Sequence, residues 1–102
     1  MKQLRERDIE AYLVKRVKAL GGEVRKVQWI GRRGAPDRLV MLPDGRVFAV
    51  DEIGHGRTIW VELKAPGEKP RPEQAREHER MRKMGQRVVV IDSIEGVEGL
   101  LS

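Results

Sequence analysis

The sequence predicts an α/β fold, a mixed β-sheet flanked by helices in the order α-β-β-β-α-β. Three features predict it. An amphipathic helical stripe opens the chain, short apolar runs punctuated by turn signals follow, and the last third reads strand, helix, strand, which forms a right-handed parallel unit in nearly all cases. With 102 residues, 39% of them hydrophobic, the chain can build one compact core and is too short for a second, so one domain spanning 1–102 is expected.

The first helix is expected from about Leu4 to Leu20, because Ile9, Leu13, Val17 and Leu20 recur at three- and four-residue steps and Gly21-Gly22 stops the pattern. Glu10 lies on that stripe, three residues before Leu13 and seven before Val17. Such an acid either reaches water near the positive helix N-terminus or is aimed inward at a metal or a basic partner. Glu23 to Trp29 reads as a short strand, broken by the basic loop Gly31-Arg32-Arg33-Gly34. Arg38 to Leu42 is a second strand, and Pro43-Asp44-Gly45 signals a hairpin into Arg46 to Val50. After a polar connection, Thr58 to Leu63 forms the next strand.

Ala65 to Arg71 carries two prolines and a glycine and can only be a linker. A helix should run from near Pro72 to Gly85, with Ala75, Met81 and Met84 as a thin apolar face and Gln74 on the same side, seven residues before Met81. Val88 to Ile91 is a continuous apolar run, expected of a strand covered on both faces. Ser93 to Leu101 closes the chain as a short capping helix. No internal repeat is present.

Net charge is +5, and all of the excess lies in the first half: residues 1–51 hold 12 basic and 7 acidic residues, residues 52–102 nine of each. Arg25, Lys26, Arg32, Arg33 and Arg38 cluster in sequence around Asp37, the electrostatic footprint of a polyanion site or, more plainly, a solubilising surface. Without cysteine there is no disulfide-linked partner and no thiolate zinc site, and two histidines cannot complete a tetrahedral one. Any metal must be bound by oxygen. No apolar stretch approaches the roughly 20 residues that span a bilayer, and the charged N-terminus is unlike a signal peptide, so a soluble cytoplasmic protein with no membrane partner is expected.

The chemistry concentrates in Gly34-Ala35-Pro36-Asp37 and Trp60-Val61-Glu62-Leu63-Lys64-Ala65-Pro66. In a strand, Glu62 and Lys64 share one face while Val61 and Leu63 share the other. Magnesium takes oxygen ligands and is commonly held by one or two carboxylates plus substrate phosphate and water. Two acids on neighbouring strands suffice, and a divalent cation can activate water, neutralise phosphate charge and stabilise the leaving oxygen. Lys64 beside Glu62 also has a plain reading as a salt bridge of little worth if exposed. His55 and His78 have no partner pattern and read as ordinary polar residues. Trp29 and Trp60 could stack on bases, although a core role is the simpler expectation.

Taken together, Glu10 in the first helix, Gly34-Ala35-Pro36-Asp37, Trp60 to Pro66 and Gln74 in the later helix resemble the VRR-NUC domain, a virus-type replication-repair nuclease module of the PD-(D/E)xK superfamily. The resemblance covers most of the chain, as a stand-alone form of the domain. It implies a restriction-endonuclease-like core, with Asp37 and Glu62 binding Mg²⁺ (Mn²⁺ substituting) and the Leu63 backbone carbonyl as a further ligand. Lys64 would orient or help deprotonate the attacking water, Glu10 would be an additional carboxylate, and Gln74 would help complete the site. One departure stands out. Asp44 to Gly56 forms a two-turn insertion between Asp37 and Glu62, which leaves the pairing of Val47 to Val50 open.

The expectation is therefore a metal-dependent deoxyribonuclease that selects structure over sequence, a homodimer acting on branched DNA such as a four-way junction. Arg32 and Arg33 would contact phosphate, alongside Arg25, Lys26 and Arg38. Rivals are a nonspecific, nicking or flap nuclease, a noncatalytic basic DNA-binding module, and a structural component of a ribonucleoprotein.

Overall fold

The computed structural model describes residues 3–43 and 57–102. The element order is α1 (Glu6–Ala19), β1 (Glu23–Lys26), β2 (Arg38–Leu42), β3 (Arg57–Leu63), α2 (Pro72–Lys83), β4 (Val88–Ile91) and α3 (Ile94–Leu101). The hairpin expected at Pro43-Asp44-Gly45 and the strand expected at Arg46 to Val50 lie largely or wholly outside the described residues.

Among the described residues the four strands form one sheet in the order β1-β2-β3-β4. β1 and β2 pair antiparallel, as do β2 and β3, whereas β3 and β4 run parallel. The mixed α/β sheet expected from the sequence is thus observed, and α2 is the crossover that the parallel pair requires.

Strand alternation divides the sheet into two chemically distinct faces. One presents Val40, Leu42, Ile59, Val61, Leu63 and Ile91 to Ile9, Leu13 and Val17 of α1 and to Val97 and Leu100 of α3, and these form the buried core. Arg16 of α1 reaches Glu98 of α3 at 2.8 Å, and the Tyr12 hydroxyl donates to the same carboxylate. The opposite face carries Trp60, Glu62 and Val88 and is covered by α2, whose buried residues are Gln74, Glu77, His78 and Met81.

That face of α2 corrects the sequence reading. Ala75 is exposed and Met84 is 67% exposed, so neither belongs to a packed stripe. The buried positions 74, 77, 78 and 81 still follow helical spacing, but three of them are polar: Gln74 accepts from the Arg71 N–H, Glu77 is held by Arg32 and Arg80, and His78 lies over Glu62. Met84 follows the last helical residue, Lys83, and projects beyond the packed surface. β4 is covered on both faces as expected, with Val88 buried on the α2 side and Ile91 in the core beneath α1 and α3, while Val89 and Val90 are half-buried because β4 ends the sheet among the described residues.

Two glycines permit close approach. Gly22 passes so near Met41 that an added Cβ would lie 2.3 Å from its carbonyl oxygen. Gly34 adopts φ +81° against the first turn of α2, where a Cβ would lie 2.7 Å from the Glu73 carbonyl oxygen. The glycine before Pro36-Asp37 therefore lets the loop lie flush on α2.

Candidate nuclease active site

The β2–β3 register aligns Arg38 with Val61 and Leu39 with Trp60. Continued one residue beyond the start of β2, it sets Asp37 across from Glu62. The backbone supports this continuation, since the Asp37 carbonyl accepts from the Val27 N–H at 2.9 Å and holds the residue in line with the sheet. Residues opposite one another on neighbouring strands project to the same face, so Asp37, Glu62 and Lys64 share the face covered by α2. Lys64 is fixed at the strand end by its N–H, which donates to the Ile91 carbonyl at 2.9 Å.

Glu62 has only 11% of its side chain exposed, and its pKa is pushed up to about 7. Burial is the main cause. The Lys64 charge opposes it, while Asp37 and Glu6 push further upward and Arg71 pulls down. Among the described residues nothing donates a hydrogen bond to this carboxylate. His78, fully buried on α2, lies with Nε2 3.4 Å from Glu62 Oε1 but without hydrogen-bond geometry, and among the described residues that nitrogen has no hydrogen-bond partner. Burial holds the His78 pKa below its usual value, and the Arg82 charge adds to this.

Asp37 is half exposed and borders a hollow of about 470 Å³ shared with Lys26, Val27 and Gln28. Its carboxylate also meets Arg38 Nη1 at 2.9 Å. Arg38, only 13% exposed, bonds Glu10 with the same guanidinium. Glu10 is therefore aimed at a basic partner, and its charge is compensated there. The acid of α1 that acts electrostatically on Glu62 is Glu6, one turn earlier.

Gln74 is buried, and its Oε1 accepts from the Arg71 N–H at 2.8 Å. This fixes the side chain at the N-terminus of α2 and leaves its NH₂ group as the available donor. Of the basic residues expected to meet DNA, Arg25 pairs with Glu23 and Arg32 with Glu77, at 2.5 and 3.0 Å. Arg25 and Lys26 also project to opposite faces, through their registers with Leu39 and Arg38. Lys26 and Arg33 are exposed and, among the described residues, have no carboxylate within ion-pair distance.

The sequence reading does not single out Glu6 or Glu77, and it takes His78 for an ordinary polar residue, whereas His78 is fully buried beside Glu62. Helical spacing holds their signal: Glu6 precedes Glu10 by four residues, and Glu77 and His78 follow Gln74 by three and four. Glu77 is almost fully buried, and its two oxygens are held by Arg32 at 3.0 Å and by Arg80 at 2.8 Å, which lowers its pKa.

Among the described residues no three His, Cys, Asp or Glu side chains form a ready metal cluster. A hard cation does not require one, because one or two carboxylates with phosphate and water complete the shell. Asp37 and Glu62 are two carboxylates on neighbouring strands that could hold such a cation. A buried carboxylate with no donor, pushed toward the neutral form beside two other acids, is the donor chemistry a dication neutralises.

No protein-family model matches the chain. Over 93 residues it is 47% identical to "Putative nuclease p44" of Acyrthosiphon pisum secondary endosymbiont phage 1, covering 91% of this chain and 88% of that protein. A solved structure described as a VRR_NUC domain matches with a TM-score of 0.75 at 42% identity, covering 94% of this chain and 92% of the other. No helix among the described residues is long and apolar enough to cross a membrane.

Proposed function

Because the chain belongs to the VRR-NUC nuclease family, we propose that it is a divalent-metal-dependent DNA endonuclease that hydrolyses phosphodiester bonds at the Asp37–Glu62–Lys64 face. The observation that carries this reading is the strand register, which, continued one residue beyond β2, sets Asp37 opposite Glu62, with Lys64 two residues along the same strand. Asp37 and Glu62 would hold Mg²⁺ or Mn²⁺, with the Leu63 backbone carbonyl completing the protein ligands. A dication bound there would neutralise charge on the phosphate and acidify the attacking water.

The remaining residues have their own tasks. Lys64 orients the water beside the scissile phosphate and offsets charge as it develops. Gln74 donates its NH₂ group toward the site from a helix terminus. Arg38 clamps Asp37 while Glu10 balances the arginine charge, which makes Glu10 a support for the metal ligand. Lys26 beside the Asp37 hollow and Arg33 on the loop are the cations best placed for phosphate contacts, which position DNA without reading its sequence.

One such site cuts one strand. A homodimer would place two sites on two strands, and branched DNA such as a four-way junction presents that symmetry. The test is cleavage of labelled junction, flap, nicked and linear DNA with Mg²⁺, with and without chelator. Cleavage should require the metal and disappear in Asp37→Ala and Lys64→Ala with the fold intact. Undiminished cleavage in either variant, or in chelator, refutes the assignment.

A further inference from the structure

We propose that the groove between α2 and β3, walled by Trp29, Trp60, Met81 and Met84 with Arg32 at its rim, holds one unpaired nucleobase of the strand whose phosphate lies at Glu62 and Lys64. The inference rests on the nuclease reading. The simple expectation for both tryptophans was a core role, yet neither joins the buried cluster, and both are half-buried at the surface. Their ring centroids are 5.2 Å apart at a 49° tilt. Each indole N–H is already satisfied, Trp29 by the Pro36 carbonyl at 2.8 Å and Trp60 by Gln86 Oε1 at 3.3 Å. What they offer the groove is therefore aromatic surface.

The groove encloses about 320 Å³, at the small end of the roughly 300–1,000 Å³ range of ligand sites. Met84, two-thirds exposed, extends the apolar wall. Trp60 and Glu62 lie on one face of β3, two residues and so roughly 6.6 Å apart along the strand. A base seated at Trp60 would hold its own nucleotide, or the next, against the metal ligands. Glu77 also lines the groove, but its charge is answered by Arg32 and Arg80, so it does not repel a polyanion. Two arginines against one glutamate leave this edge of the groove net positive, which favours phosphate. A second protein copy is the poorer occupant, because a stable interface buries about 800 Å² per partner, well beyond a groove of this size. A site of this kind favours DNA with an unpaired base at the cut, at a branch, flap or single-stranded gap.

Trp29 and Trp60 are the only tryptophans in the chain, so intrinsic emission reports this groove alone. In chelator, the whole protein should show quenching with a dT15 strand and none with an abasic strand of equal length or a blunt duplex. Anisotropy of labelled strands should give roughly tenfold tighter binding to the base-bearing strand, in line with stacking on aromatic side chains. Trp60→Leu and, at an exposed position that spares the fold, Met84→Glu should each remove most of that preference. Equal quenching by abasic and base-bearing strands overturns the proposal, as does an unchanged preference in Met84→Glu. A protein-only emission change that tracks self-association also overturns it. Wild-type cleavage without base-dependent quenching leaves the nuclease reading standing and the groove refuted; base-dependent quenching without cleavage does the reverse.

Discussion

Replacing Glu62 with glutamine should stabilise the metal-free protein while abolishing its cleavage. The Glu62 carboxyl titrates at about 7 in the folded chain against an ordinary value of 4.5. A raised carboxyl pKa means that the folded state holds its proton more tightly than the unfolded state. Its contribution to stability is thus fully present below pH 4.5 and is lost as pH climbs through about 7. At about 1.4 kcal/mol per pK unit, the gap corresponds to a penalty of about 3 kcal/mol at pH 8. Since the side chain is almost wholly buried, little of this is screened by solvent.

Glutamine keeps the size and loses the charge. Glu62→Gln in chelator should therefore melt above wild type at pH 8 by about 12 °C or more, given roughly 4–8 °C per kcal/mol for a domain near this size. At pH 4 the two melting temperatures should coincide. Added Mg²⁺ should close the gap at pH 8, because only wild type gains from a ligand that binds the folded state. The assay is thermal unfolding by circular dichroism of both proteins across pH, with and without chelator. If Glu62→Gln is no more stable than wild type at pH 8 without metal, burial does not penalise the Glu62 charge and the proposed metal-binding role of this carboxylate is refuted.

Three further outcomes follow from the same geometry. At low Mg²⁺, cleavage should rise as pH passes about 7, since Glu62 must lose its proton before it can accept the cation; a flat profile from pH 5.5 to 8.5 contradicts this. Gly34→Ala should cost about 1–3 kcal/mol, because the backbone has positive φ and the new methyl meets α2, and it should lower cleavage by shifting Asp37; denaturant melts and single-turnover rates check both. Glu77→Gln should cost about 1–3 kcal/mol by weakening charge-assisted bonds to Arg32 and Arg80. Because the Glu77 pKa is lowered on folding, that stability is present above the ordinary carboxylate range and is lost as pH falls through the folded value, so the cost measured by urea melts should fade in acid.

The ordered motif was legible in sequence because its parts are local. Alternation along Thr58 to Leu63 places Glu62 and Lys64 together whatever surrounds them, and the stripe through Ile9, Leu13 and Val17 predicts the buried side of α1. The structure bears out both elements. The face of α2 was misread for a physical reason. Apolar residues are taken to mark the buried side, but here Gln74, Glu77 and His78 are buried, with the Arg71 N–H, the Arg32 and Arg80 guanidinium groups and the Glu62 carboxylate lying against them. The valine run of β4 is covered on both faces, and Val89 and Val90 stay half-buried because no further strand among the described residues shields that edge, a position that composition does not record.

By itself, the chain dictated which residue types can do chemistry and which neighbours share a face, since strand and helix periodicity act over a few residues. Only the tertiary structure decided partners between distant segments. Arg38 closes on Glu10 and Asp37, Glu6 replaces Glu10 as the acid felt by Glu62, and Trp29 meets Trp60 at the surface. Such pairings depend on strand register and helix placement, which the whole core sets by competing for the same buried space. Charge and burial then act through distances that no local pattern encodes.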